Sequence, residues 1–192
     1  MNYKLLYNPF ERYQERTLIL VGSLALVAGA VLAFFFKARF DGVLDLHFAS
    51  QIELWQAFAD QGVNVACLLI SLGAVAFYMN KRTRIIDMLA VCLFARLPYY
   101  LLSVFNVNGL MVRISEEILK DPMALAKGDI AIANLFLLLV FSGFSLLAIV
   151  WQLALLYNGT KVASNAKGTT YTILFVIAII VAEILSKLLI NY

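Results

Sequence analysis

Two charges stand inside apolar runs of this chain. Arg96 lies in VCLFARLPYYLLSVF and Glu183 in VIAIIVAEILSKLLI. A guanidinium or a carboxylate in such surroundings must be paired, hydrogen-bonded or turned toward water, because bare charge is costly in oil. Arg96 follows Arg84 by twelve residues and Glu183 follows Thr170 by thirteen. At about 1.5 Å per residue they sit roughly 18 and 20 Å along their helices. If both helices set out from one side, the charges fall at matching height and are expected to form an ion pair. Lys187 stands one turn beyond Glu183, where it competes for the carboxylate or completes a triad. Pro98 cannot donate to the carbonyl of Phe94, so it is expected to kink its helix and offer Arg96 a second acceptor. Two uses of this cluster stay open. It locks helix packing, or it forms a midplane polar site for an ion, a proton or a lipid headgroup.

Other polar residues in apolar stretches are Asn64, Asn134 and Gln152. Amides there serve as interhelical hydrogen-bond glue, or as companions of the charged site. In FDGVLDLHF, Asp41, Asp45 and His47 offer oxygen and imidazole donors of the kind that ligate metals. A turn at Asp41-Gly42 is the simpler use of that stretch. Catalytic sets are missing. SGFS (142–145) has no buried histidine to activate a serine, Glu116–Glu117 fall in a loop, and GTKVASNAKG lacks the glycine spacing of a phosphate cradle. The reading is therefore non-enzymatic, with no cofactor.

These residues have to be held by helices. Of 192 residues, 63% are hydrophobic and 14% charged, against about 45–50% and about 25% in soluble domains. Five stretches approach or exceed the roughly 20 apolar residues needed to cross a bilayer: Thr17–Phe36, Gly62–Met79, Arg84–Phe105, Ala131–Tyr157 and Thr170–Ile190. Backbone groups in lipid must be satisfied locally, so each is read as a helix. The expected architecture is an all-α polytopic membrane protein, a single integral domain over 1–192. Its first span ends in FFFKARF, without a small-residue cleavage site, so the N-terminus is expected to stay attached. Ala25–Gly29–Ala33 and Ala178–Ala182–Ser186 suit close helix approach. Cys67 and Cys92 read as small buried hydrophobes. The net charge of +3 comes without a basic cluster, so no nucleic-acid partner is expected.

Lysine and arginine counts favour a cytoplasmic N-terminus. Eight fall in the tail and the second and fourth loops, densely around Lys81, Arg82 and Arg84, against six on the other side. The C-terminus then lies outside, in a bacterial inner membrane. Phe48, Ile52, Trp55 and Ala59 recur at helical spacing and predict a short amphipathic helix at the membrane surface. ISEEILK (114–120) predicts a second, stopped near Pro122. The tail YKLLYNPFERY interleaves rings and cations as interfacial segments do.

YNPFERY before the first span, FDGVLDLHF after it, and YNGTKVASNAKGTTYTILFVIAIIVAEILSK over the last loop and span carry a resemblance. With five spans and this threading, the chain resembles the Yip domain family of Ypt/Rab-interacting membrane proteins, in its bacterial branch. The resemblance implies five helices and an organising or partner-binding role. The bilayer, a protein partner or a second copy are the expected associates. The competing expectation is a small transporter or channel centred on Arg96 and Glu183.

Overall fold

The computed structural model describes residues 3–120 and 131–190. A short helix α1 (Lys4–Tyr7) and a 3-10 turn (Pro9–Glu11) precede α2 (Glu15–Phe35). Strands β1 (Ala38–Arg39) and β2 (His47–Phe48) follow, then α3 (Leu54–Met79). The next helical run is broken into α4 (Ile85–Ala95), α5 (Leu97–Tyr100), a 3-10 segment (Leu101–Gly109) and α6 (Leu110–Lys120). Two long helices, α7 (Ile132–Ser164) and α8 (Thr169–Leu189), complete the described chain. Among the described residues, five helical runs are long and apolar enough to cross a membrane: α2, α3, the α4–α6 run, α7 and α8.

Local chemistry sets the boundaries. α3 begins eight residues before the expected Gly62. Glu53 caps its first turn, and the Gln56 amide oxygen accepts from the Glu53 N–H at 2.9 Å. No separate surface helix therefore exists over 48–59. Phe48 lies in β2, and Trp55 and Ala59 belong to the first turns of α3. The third expected span is not one rod, because it breaks at Arg96, two residues before Pro98. At the end of the 3-10 segment, Asn108 and Gly109 take positive φ values of 55° and 70° and turn the chain. The Asn106 side chain then caps α6, accepting from Met111 and Val112 N–H at 2.9 and 3.3 Å and donating to the Phe36 carbonyl at 2.7 Å. α6 contains the predicted 114–120 helix; Pro122 lies outside the described residues. α7 has 33 residues, about 50 Å of helix, well beyond the roughly 30 Å hydrocarbon core.

Short connections join α3 to α4 and α7 to α8, whereas residues 36–53 lie between α2 and α3. One end of the bundle gathers the start of α2, the end of α3 and the start of α4, where Arg84 meets Asp87 at 2.7 Å and Glu15 at 3.5 Å. At the other end, β1 and β2 pair antiparallel, Ala38 opposite Phe48 and Arg39 opposite His47. This small hairpin closes the neck of the loop Phe40–Leu46. The loop does not stay at the rim: Phe40 and Val43 are buried as deeply as the helix cores. One apolar cluster joins Val43 to Leu68, Leu72, Met88, Leu155 and Tyr171. A second joins Phe40 to Ala30, Ala33, Tyr99 and Tyr100.

The small-residue stripes do what their spacing predicts. Gly29 meets the Tyr100 ring; outside those stripes, Gly22 meets the backbone of Leu93 and Phe94. A methyl at Gly22 would stand 2.7 Å from Leu93 Cβ and 2.9 Å from two backbone atoms. Gly22→Ala is therefore expected to push α2 off α4 and cost about 1–3 kcal/mol. Gly73→Ala, where a Cβ meets nothing within 4 Å, should be neutral or gain up to about 1 kcal/mol of helix propensity. Thermal unfolding in detergent measures both; equal melting temperatures would contradict the close α2–α4 approach.

Candidate functional site

The buried polar side chains of the bundle converge on the backbone of the inserted loop. The Phe40 carbonyl accepts from the Asn64 amide of α3 at 2.6 Å. The Val43 carbonyl accepts twice, from Arg96 Nη1 at 3.1 Å and from Gln152 Nε2 of α7 at 3.0 Å. The Leu44 carbonyl accepts from the Tyr99 hydroxyl at 2.6 Å. On the donor side, Val43 N–H reaches Ser186 Oγ at 3.1 Å and Leu44 N–H reaches Glu183 Oε2 at 2.8 Å, both on α8. Buried irregular backbone needs protein partners for its polar groups, and here α3, α5, α7, α8 and the α4–α5 break share the task.

Each partner is where its helix puts it. Asn64 lies three residues after Gln61 on α3, so both face the loop, and both are fully buried. Ser186 follows Glu183 by three on α8 and stands on the same face. Arg96 is the single residue between α4 and α5. Gly42 is the close-approach point. A Cβ there would run into the Glu183 carboxylate and the Asp45 side chain, so a larger residue would have to displace the carboxylate that holds Leu44 N–H.

Arg96 is 0% exposed. Its second acceptor is Gln61 Oε1, at 3.2 Å from Nη2. Three rings surround the guanidinium, with Cζ 5.9 Å from the Phe40 and Tyr99 centroids and 5.7 Å from that of Tyr100. Ring faces and carbonyl dipoles thus hold this cation. Among the described residues Arg96 makes no ion pair, which corrects the expected bridge to Glu183. The two charges do come to one place, but each grips a neighbouring residue of the same loop, one taking a carbonyl and the other an N–H. The expectation for Pro98 also changes. The helix breaks as foreseen, yet the guanidinium turns to the Val43 carbonyl rather than to that of Phe94.

The remaining sequence candidates divide clearly. Gln152 joins the centre and Asn134 does not; it lies on an exposed stretch of α7 and donates to Glu117 of α6 at 3.2 Å. Lys187 pairs with Asp45 at 2.5 Å, with Glu183 Oε1 farther away at 3.8 Å. Asp41 pairs with His47 at 3.1 Å. With Asp45 committed to Lys187, Asp41 and His47 have no third ligand, and no metal-holding group of three forms among the described residues. Arg39 makes a two-pronged bridge to the buried Asp60 at 3.1 and 3.0 Å. These pairs form a charged collar around the loop's mouth.

The collar responds to pH. Burial acts to raise the Asp41 carboxyl, but hydrogen bonding and charge from His47 hold it below the usual range. The bond to Asp41 raises the His47 imidazole against the opposing effect of burial. The histidine's contribution is complete below its ordinary range and fades as pH rises through its raised value; the aspartate's fades as pH falls through its lowered one.

Residues not singled out in the sequence are Gln61, Tyr99 and the backbone of Phe40–Leu44. The available signal was FDGV itself, in which two apolar residues flank a glycine at the centre of a connecting segment.

Substitutions separate loop clamping from ion pairing. Arg96→Met leaves Gln152 on Val43 but orphans Gln61, and is expected to cost about 1–3 kcal/mol. Glu183→Gln keeps an acceptor for Leu44 N–H and should cost less. The charge exchange Arg96→Glu with Glu183→Arg sets a carboxylate against a carbonyl and a cation against an N–H. It should unfold more readily than either single variant in a denaturant titration. Recovery in the double variant would restore the ion pair and contradict the clamp.

Comparison with protein-family models, with curated proteins and with solved structures finds no match to this chain.

Proposed function

We propose that this chain is a non-enzymatic integral membrane protein with an organising or partner-binding role, similar to the Yip domain family. In this reading it stands in a bacterial inner membrane with the N-terminus cytoplasmic and the C-terminus outside. The bilayer surrounds it, and a protein partner or a second copy completes its associations.

The observation that carries the reading is the use made of the charged centre. Arg96 is closed off from the surface, and its contacts are a loop carbonyl, an amide and three rings. Glu183 holds the same loop by an N–H. A transport site would keep such groups facing a hydrated path, ready to exchange partners. Here they serve the backbone of a plug between helices, which is the work of a scaffold.

Flux through proteoliposomes tests it. With proton- and ion-sensitive dyes, vesicles holding the protein should leak no faster than empty ones, and Glu183→Gln should change nothing. Flux in the parent that collapses in Glu183→Gln, with the fold intact by circular dichroism, would overturn the scaffold reading in favour of a transporter.

A further inference from the structure

A second feature of the bundle is not explained by the clamped loop. Between the α5/3-10 segment and α7 lies a cleft of about 580 Å³. Pro98, Leu101 and Phe105 form one wall, and Phe144, Leu147 and Trp151 the other. It lies beside the break at Arg96, where Pro98 stands in the first turn of α5. α1 closes one end, where Trp151 Nε1–H donates to the Leu6 carbonyl at 2.6 Å and Asn158 Nδ2 donates to the Tyr7 carbonyl at 3.2 Å. The indole donor is thereby spent, and the interior offers hydrocarbon and ring surface.

We propose that this cleft holds one acyl chain of a membrane phospholipid. The inference rests on the reading that the bundle stands in a bilayer. The occupant follows from exclusion by chemistry. Water needs two to four polar partners to stay in a cavity, and the walls supply almost none. The cleft opens onto a flank of α7 whose neighbouring residues, Leu146 and Val150, are exposed. At that position a bilayer presents hydrocarbon tails. The α1 end differs from the rest. Tyr7 lines it, and the ion pair of Lys4 with Glu11 lies on the same N-terminal segment, an aromatic and charged edge of the kind found at headgroup height. The chain's methylenes fill the slot and its polar end lies toward α1.

The experiment uses the full chain purified in mild detergent from membranes, with bound phospholipid counted by mass spectrometry. Ala154 lines the cleft and is partly exposed, so Ala154→Phe fills it with little demand on the core. Ile173→Phe, on an exposed face of α8, is the control. The parent and the control should retain one tightly held phospholipid per chain. Ala154→Phe should retain it roughly tenfold less tightly, with unchanged helicity and size-exclusion profile. Equal retention in Ala154→Phe and the control overturns the site, as does a parent that holds no lipid. A parent that runs as a dimer with cysteines placed at Leu147 cross-linking between copies assigns the cleft to a second chain and overturns it too. Alkaline carbonate extraction of the same membranes is read separately. Release of the protein there would defeat the bilayer reading, whereas retention with no lipid loss in Ala154→Phe would defeat the acyl site alone.

Discussion

The Val43 carbonyl is the group on which the arrangement turns. It sits among apolar helices, on a segment with no helix or sheet to satisfy it, and a peptide oxygen left bare in that setting costs several kcal/mol. Arg96 and Gln152 both donate to it. The next residue is held at both of its polar atoms, by Glu183 and by Tyr99. Once the chain between α2 and α3 enters the bundle, each of these side chains has an obligation, and each helix carrying one is fixed in rotation and height.

The clamp is long-range in sequence. The residues that hold Val43 and Leu44 stand 53, 55, 109, 139 and 143 positions away. No hairpin or helix pair can build it alone. The loop is satisfied only when α3, α4, α5, α7 and α8 have come together around it, so a partly assembled bundle carries unpaired peptide groups in its interior. That makes the native packing cooperative, and it ties the break at Arg96 to the insertion of the loop.

Much of this was legible in the sequence, for physical reasons that differ by element. The long apolar helices follow from composition and length, and the close contact of Gly29 follows from small-residue spacing. Arg96, Glu183 and Gln152 were visible because polar atoms in oil must have partners. Which partners was not legible. A backbone carbonyl looks the same at every position, so the sequence offers no mark that Val43 is the acceptor. An opposite charge at equal height is the natural guess, and it fails here because the loop interposes itself between the two groups. The stretch from Phe48 to Ala59 misled in another way. Its helical spacing is real only from Leu54 onward, where Glu53 and Gln56 cap the start of α3, while β pairing claims Phe48.

Amide hydrogen exchange in lipid nanodiscs bears most directly on the inserted loop. The N–H groups of Val43 and Leu44 should exchange as slowly as those in the middle of α3, and Glu183→Ala should speed Leu44 while leaving α3 unchanged. If both amides exchange as fast as that of the exposed Gln51 while the helices stay protected, the loop is not held inside the bundle and the account fails.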